Sequence, residues 1–386
     1  MNVGRPFLFR VFYFSFFACL GIYLPYFNLY LADLKFQGWQ IGLMAAIPPF
    51  LKIFSTAAWG FLSDYWHARR GLTVLGCLLS FFFFSFYMWI ENFWGMVLVM
   101  VAFGVFWTPT LPLVEATTLE VIEQRNWDYG KIRLWGSIGF ILLSTGFGFI
   151  LDHTTTRWVI SGMLVFLALN VISAIRLPSP MVSVSDNQFK LTGFLKRPEV
   201  ILFLTCCFLM QASHGTYYGF FSIALENTGY SKATIGFLWA EGVVGEILIM
   251  VFAGRLLAQL GTLPLVTLSL LLAALRWGIC SITLSVVPLI IAQLLHAFSF
   301  GLFHVASVFQ IHQMVPRPLR ASGQSLYSSV SYGMGMGFGL VFNGFFFKTI
   351  GPSPLFAFSA VMALVGAGLI LFLDQIQGQL VGERST

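Results

Sequence analysis

The chain has 386 residues, 58% of them hydrophobic, 17% aromatic and only 9% charged. A soluble domain carries about a quarter charged residues, so this composition excludes an ordinary water-soluble enzyme or binding domain and points to a bilayer as the solvent. The formal charge of +6 would suit an acidic partner, but its placement along the chain follows membrane topology, and no nucleic-acid partner is expected.

In a bilayer the backbone must satisfy its own hydrogen bonds, which leaves helices or a closed barrel. Runs such as VLGCLLSFFFFSFYMWI and LFAFSAVMALVGAGLILFL lack the dyad alternation of barrel strands, so an all-α membrane protein is expected. The first apolar run, about Val11 to Leu31, is long enough to stay as a helix rather than act as a cleaved signal. Segmenting at charged, Gly and Pro clusters predicts helices near 9–33, 39–63, 71–90, 93–120, 129–151 and 156–176. Six more are predicted near 198–227, 232–258, 262–283, 285–314, 320–348 and 353–375. Each end carries a margin of about four residues. The longest polar stretch, LPSPMVSVSDNQFKLTGFLKRPE, lies between the two sets. It divides the chain into an N-terminal six-helix half, 1–176, a cytoplasmic linker, 177–197, and a C-terminal six-helix half, 198–386.

With both termini in the cytoplasm, the basic residues sort by side. Arg5, Arg10, Arg69, Arg70, Arg125, Lys131, Arg176, Lys190, Lys196, Arg197, Arg255, Arg317, Arg320 and Arg384 fall inside, and only Lys35, Arg157, Lys232 and Lys348 outside. This asymmetry sets the orientation expected in a bacterial inner membrane. Lys52, Arg133 and Arg276 remain within helices.

The halves align without gaps over their first two helices at an offset of 194. Gly21, Tyr23, Phe27, Gly42 and Gly60 correspond to Gly215, Tyr217, Phe221, Gly236 and Gly254. Parallel repeats of this kind are one way in which transporters build a midplane site. The five cysteines, Cys19, Cys77, Cys206, Cys207 and Cys280, sit in apolar runs without metal-ligand spacing. They read as small packing residues, and neither a metal nor a cofactor is expected.

Between the second and third helices stands GFLSDYWHARRG, Gly60 to Gly71. It resembles the major facilitator signature in the spacing G-x-L-x-D-x-x-x-x-R-[RK]. The resemblance implies a cytoplasmic gate, with Gly60 permitting close helix contact, Asp64 capping or pairing at a helix end, and Arg69 and Arg70 holding the gate. Topology charges alone would explain the arginines but not Gly60 and Asp64. The second-half counterpart, GRLLAQLG at 254–261, has Ala258 in place of the acid. Further along, WDYGKIRLWGS (127–137), QASHGTYYGF (211–220), ALRWGI (274–279) and LLHAFSFGLFH (294–304) together resemble the phenylpropionic-acid-permease-like family. That family is a neighbour of the lactose permease, and the resemblance covers about residues 5–375. It implies a major facilitator fold of 12 helices and uptake, by symport with protons, of a small organic solute such as an aromatic carboxylic acid.

Similarity to the lactose permease implies roles residue by residue. Glu115 and Arg133 are eighteen apart, like its sugar-binding acid and arginine on helices four and five. Glu246 follows Gly245 as its helix-eight acid follows a glycine, and Arg276 and His296 are twenty apart, like its helix-nine arginine and helix-ten histidine. Two departures matter. Ser299 stands in place of a proton-coupling Glu, which leaves Glu246 as the remaining acid at depth. Phe140 stands in place of a sugar-stacking Trp, which argues against a galactoside.

Within the helices Glu115, Glu241 and Glu246 oppose Lys52, Arg133 and Arg276, a formal sum of zero. A charge near the bilayer centre costs at least about 2.5–3.5 kcal/mol, so each needs a partner or water. Pairs that merely orient helices and a functional cavity are both open readings. Glu115 and Arg133, near helix ends, also fit interfacial snorkelling. Pro109 and Pro112 are expected to bend helix four and redirect Glu115. Glu246 sits about 22 Å into its helix. His296 and His304 are about 80° apart on one helix. With Gln293 one turn before His296 and His214 on helix seven, a shared polar cavity lining and buried histidines that serve only as structural hydrogen-bonders are both open readings. Tyr217 is a candidate aromatic lining residue, with ordinary packing as the competing reading. The glycines of SYGMGMGFG (331–339) are expected to allow close helix approach.

The expected roles are substrate binding by Glu115, Arg133, His214 and Tyr217, proton coupling by Glu246, Arg276, His296 and His304, and gating by Gly60, Asp64, Arg69 and Arg70. A monomer acting on a small solute and protons in a lipid bilayer is expected. A nucleoside or sugar symporter is the nearest alternative. A membrane sensor would carry a larger soluble domain, and an intramembrane enzyme a recognised catalytic constellation. Neither is visible in the sequence, so no enzymatic activity is expected.

Overall fold

The computed structural model describes residues 6–125, 127–178, 197–316 and 319–385. Most of the expected linker 177–197 lies outside the described residues, as do Arg5, Lys190, Lys196 and Arg317 from the orientation argument. Among the described residues there is no strand, and 12 helices are long and apolar enough to cross a membrane. They are α1 (Pro6–Asp33), α2 (Gly38–Tyr65), α3 (Arg69–Met88), α4 (Phe93–Glu123), α5 (Tyr129–Asp152) and α6 (Trp158–Ile175). There follow α7 (Pro198–Asn227), α8 (Lys232–Leu260), α9 (Thr262–Ile282), α10 (Val286–Met314), α11 (Ser322–Ile350) and α12 (Pro352–Gln375). Every end falls inside the four-residue margin, the largest shifts being at the start of α1, 6 against 9, and the end of α4, 123 against 120.

Several helices are interrupted at identifiable residues. In α1 a π-helical turn, Tyr23–Phe27, surrounds Pro25. The break in α4 falls between Trp107 and Thr110, at Pro109, where the ring removes a backbone donor. The helix of α7 is broken at His214, between Ser213 and Gly215. A π-helical turn in α10, Ala297–Leu302, follows His296, and another in α11 spans Ser329–Gly335. Such turns shift the register and frequently occur at functional sites.

Packing groups the helices into two units. One comprises Met1–Ser185 with Ser222–Ala240, the other Asp186–Phe221 with Glu241–Thr386. Lipid supplies no hydrophobic drive between helices, so close approach at small residues must hold each unit together. In the first unit α1 meets α5 this way: a Cβ on Gly21 would stand 2.6 Å from the Phe140 carbonyl oxygen, and one on Gly139 would overlap the Phe14 carbonyl. Ser15 Oγ donates to Asn170 Oδ1 at 2.8 Å and ties α1 to α6. In the second unit α7 meets α11, with Gly215 against Gly339 and Gly335 against the Phe208 carbonyl, as the glycine run of helix eleven predicted. Gly21 and Gly215, paired by the internal repeat, therefore serve the same purpose in each unit. Gly139→Val is expected to destabilise the protein by about 1–3 kcal/mol, the usual cost of overpacking. The readout is the thermal midpoint in detergent, and an unchanged midpoint would contradict the close α1–α5 contact.

Candidate functional site

Two clusters of charged side chains lie within the spans, one in each unit. In the first unit Arg133 of α5 meets Glu115 of α4, Nε to Oε1 at 3.6 Å, with the side chains 30% and 34% exposed. The spacing read from the sequence thus brings this pair together, but loosely, since a charge-assisted hydrogen bond is closer to 2.7–2.9 Å. The guanidinium lies 4.0 Å over the Phe17 ring and 5.5 Å from that of Tyr13. Tyr13 and Phe17 are four apart on α1 and so share one face. Gly136 leaves room for this stack, because a Cβ there would stand 2.8 Å from the Phe17 ring and 2.9 Å from Arg133 Nη1. Tyr13 donates to Thr118 Oγ1 at 3.1 Å, which fixes its ring against α4. Tyr129 brings a second phenol beside Arg133 and Glu115. Lys52 of α2 interacts electrostatically with the same Glu115. Two formal positive charges therefore share one carboxylate beside an aromatic wall. An anion carrying an apolar ring complements both features.

In the second unit the charges form a relay. Arg276 Nη1 donates to His296 Nδ1 at 2.7 Å, and His296 Nε2 lies 2.7 Å from Glu246 Oε1. A guanidinium has no acceptor, so Nδ1 must accept and the ring proton sits on Nε2, aimed at the carboxylate. His296 is thereby held neutral between a cation and an anion. Arg276 Nη2 also donates to Gln293 Oε1 at 2.8 Å, Gln293 Nε2 donates to the Tyr217 hydroxyl at 3.2 Å, and Nη1 reaches Ser299 Oγ at 3.3 Å. The guanidinium lies 4.4 Å from the Tyr217 ring and 4.3 Å from the Trp277 ring. Trp277 is fixed in turn by donating Nε1–H to Ser213 Oγ at 3.1 Å, just before the break in α7. Close approach of α8 to α10 brings Glu246 to His296: a Cβ on Gly242 would stand 3.0 Å from the His296 ring, and one on Gly301 3.5 Å from Glu246 Cγ.

The remaining expected site residues have the following surroundings. Tyr217 belongs to the Arg276 network and is 2% exposed. His214 is fully buried, with Nδ1 donating to the Met210 carbonyl at 2.8 Å and its ring 6.2 Å from that of His296. His304 Nδ1 meets the hydroxyls of Tyr332 at 3.0 Å and Tyr327 at 3.3 Å, both on α11, and Tyr332 in turn acts electrostatically on Glu246. The 80° estimate assumed a regular helix, whereas the π-helical turn Ala297–Leu302 lies between the two histidines and changes their relative rotation.

The motif at the α2–α3 connection holds together in part. Buried Arg69 pairs with Asp64 at 3.5 Å and more closely with Glu120 of α4, and Arg70 donates to the Ile175 carbonyl at the end of α6. The role expected of Gly60 is corrected: no atom lies within 4 Å of where its Cβ would stand, so it mediates no close helix contact in this structure. Sequence reasoning also missed Glu120, which lies 51 residues from Arg69 with no spacing rule to announce it. Phe17 was missed as well, although its position four after Tyr13 was a signal that could have found it.

Comparison with known proteins gives one picture. The MFS_1 like family matches residues 7–358. The chain is 29% identical to a probable 3-phenylpropionic acid transporter of Escherichia coli (strain K12), over 92% of this chain and 93% of that protein. It is 25% identical to a maltose permease of Geobacillus stearothermophilus, over 99% of this chain and 97% of that one. The structure resembles the nucleoside transporter NupG with a TM-score of 0.83 at 17% identity, covering 97% of this chain and 99% of that chain. A match across nearly all 12 spans, together with the shared fold, identifies the chain as a membrane transporter that belongs to the MFS_1 like family of the major facilitator superfamily.

Proposed function

We propose that the chain is a proton-coupled symporter that takes up a small aromatic carboxylate by alternating access. The observation that carries this reading is Arg133, a partly exposed guanidinium stacked on Phe17 and Tyr13, only loosely paired with Glu115 and accompanied by Lys52. Arg133 would hold the carboxylate bidentately, Glu115 would position Arg133, and the aromatic rings would face the ring of the solute. Glu246, its side chain 15% exposed, would carry the proton, with His296 and Arg276 setting its charge balance. The similarity to a probable 3-phenylpropionic acid transporter supports the substrate class. The reading includes a monomer in a bacterial inner membrane, both termini cytoplasmic, whose halves 1–176 and 198–386, joined by the linker 177–197, rock around a midplane site.

A neutral polyol, either a nucleoside or a sugar, is the second reading. The carboxylate of Glu115 favours it, because hydroxyl-rich solutes need such an acceptor, and a maltose permease is among the relatives. A thermal-shift screen of purified protein separates the two. A ligand present at 100 times its Kd stabilises by about 2.7 kcal/mol, so 3-phenylpropionate should raise the midpoint and uridine or maltose should not. The reverse pattern would replace the first reading by the second.

Asp64, Arg69, Arg70 and Glu120 would form a cytoplasmic gate contact. Asp64→Asn is expected to lower uptake with insertion intact. Glu120→Gln should lower it further, because Glu120 is the closer partner of Arg69. Initial uptake rates at matched membrane abundance check this, and a wild-type rate in Glu120→Gln would contradict the gate.

A further inference from the structure

We propose that carriage is electroneutral, one proton on Glu246 together with one monovalent organic anion, because protonating Glu246 alone strands Arg276. The inference rests on the reading of the chain as a proton–anion symporter. Arg276 is fully buried, and the carboxylate of its network is Glu246, reached through His296. Its other partners, Gln293, Ser299 and the rings of Tyr217 and Trp277, are neutral, and its Nε has no partner.

Groups that act on Glu246 from neighbouring helices include Tyr217 and Tyr218 of α7, Arg276 of α9 through His296 of α10, and Tyr332 of α11, which also bonds His304 of α10. His214 of α7 adds only a neutral ring beside His296. On its own helix Glu241 lies five residues earlier and points another way. None of these groups is an anion at neutral pH, so protonation takes the cluster from a formal charge of zero to +1. Neutral His296 offers no relief, since Arg276 occupies its Nδ1. A buried cation without a counter-charge is strongly disfavoured, and one monoanion restores neutrality.

Linkage then requires that the proton strengthen anion binding by the same factor as the anion strengthens protonation. This coupling is electrostatic and weakens with distance, so it requires the carboxylate to rest in the same low-dielectric interior as the cluster. Counted formally, the deep charges sum to zero in the empty carrier, with Lys52, Arg133 and Arg276 against Glu115, Glu241 and Glu246, and again when one proton and one anion are added. Both forms can then reorient without moving net charge through the membrane potential.

The test uses the full chain in proteoliposomes and labelled 3-phenylpropionate, which is ionised throughout about pH 6–8, with rates corrected for protein-free vesicles. An acid-outside step of one pH unit should raise the initial rate severalfold. A potassium–valinomycin potential of either sign at equal pH should change it less than about twofold. Apparent affinity should weaken about tenfold per pH unit on the alkaline side in the wild type and be flat with pH in Glu246→Gln. Potential-driven uptake at equal pH, or an affinity slope of two decades per pH unit, overturns one-to-one carriage and leaves symport standing. No carrier-dependent uptake of the probe overturns the symport reading and this inference with it.

Discussion

Replacing Arg133 by alanine is expected to weaken binding of 3-phenylpropionate by about 30-fold or more. Truncating one partner of a desolvated, hydrogen-bonded charge pair typically costs about 2–5 kcal/mol, and each 1.4 kcal/mol is about a factor of ten. The loss should appear in a direct binding measurement and not only as slower turnover. Arg133→Lys keeps the charge but loses the planar fork and the stack on Phe17, so it should fall between wild type and Arg133→Ala. Exchanging Glu115 and Arg133 should not restore binding, because the aromatic face belongs to the arginine's position. Unchanged affinity in Arg133→Ala would make the pair a helix-orienting contact.

The second large effect is expected at Glu246. Glu246→Gln keeps the shape of the side chain and an oxygen that can accept the His296 Nε2–H, so it imitates the protonated acid. The variant should exchange labelled for unlabelled solute at a rate within about threefold of wild type, since each half-reaction runs with the carrier already neutral at this position. Accumulation against a gradient should disappear, because no proton is taken up or released. Wild-type accumulation by Glu246→Gln would remove Glu246 from proton coupling. Complete loss of binding would move it into the substrate site.

What was legible in the sequence follows from the constraints that a bilayer imposes. Span length and hydropathy are fixed by membrane thickness, so α1 to α12 emerge with small end errors. The Glu115–Arg133 and Arg276–His296 pairs were legible through the resemblance to the lactose permease, whose corresponding residues stand at the same spacings. The glycines of helix eleven announced a close approach, since only small residues permit backbones that close, but not that α7 would be the partner. The relative rotation of His296 and His304 was not legible: a π-helical turn, invisible to a fixed rotation per residue, separates them. Gly60 and Glu120 depend on which helix face opposes which, and no local pattern carries that information.

The central claim, that the chain moves an aromatic carboxylate through a site built on Arg133, is tested most directly by counterflow. Proteoliposomes preloaded with unlabelled 3-phenylpropionate at equal pH are diluted into the labelled compound, which needs no driving gradient. The account predicts a transient overshoot of label inside wild-type vesicles, unaffected by excess uridine or maltose and absent from Arg133→Ala vesicles. Absence of the overshoot in wild type, its persistence in Arg133→Ala, or an overshoot with labelled uridine or maltose instead, would contradict the account.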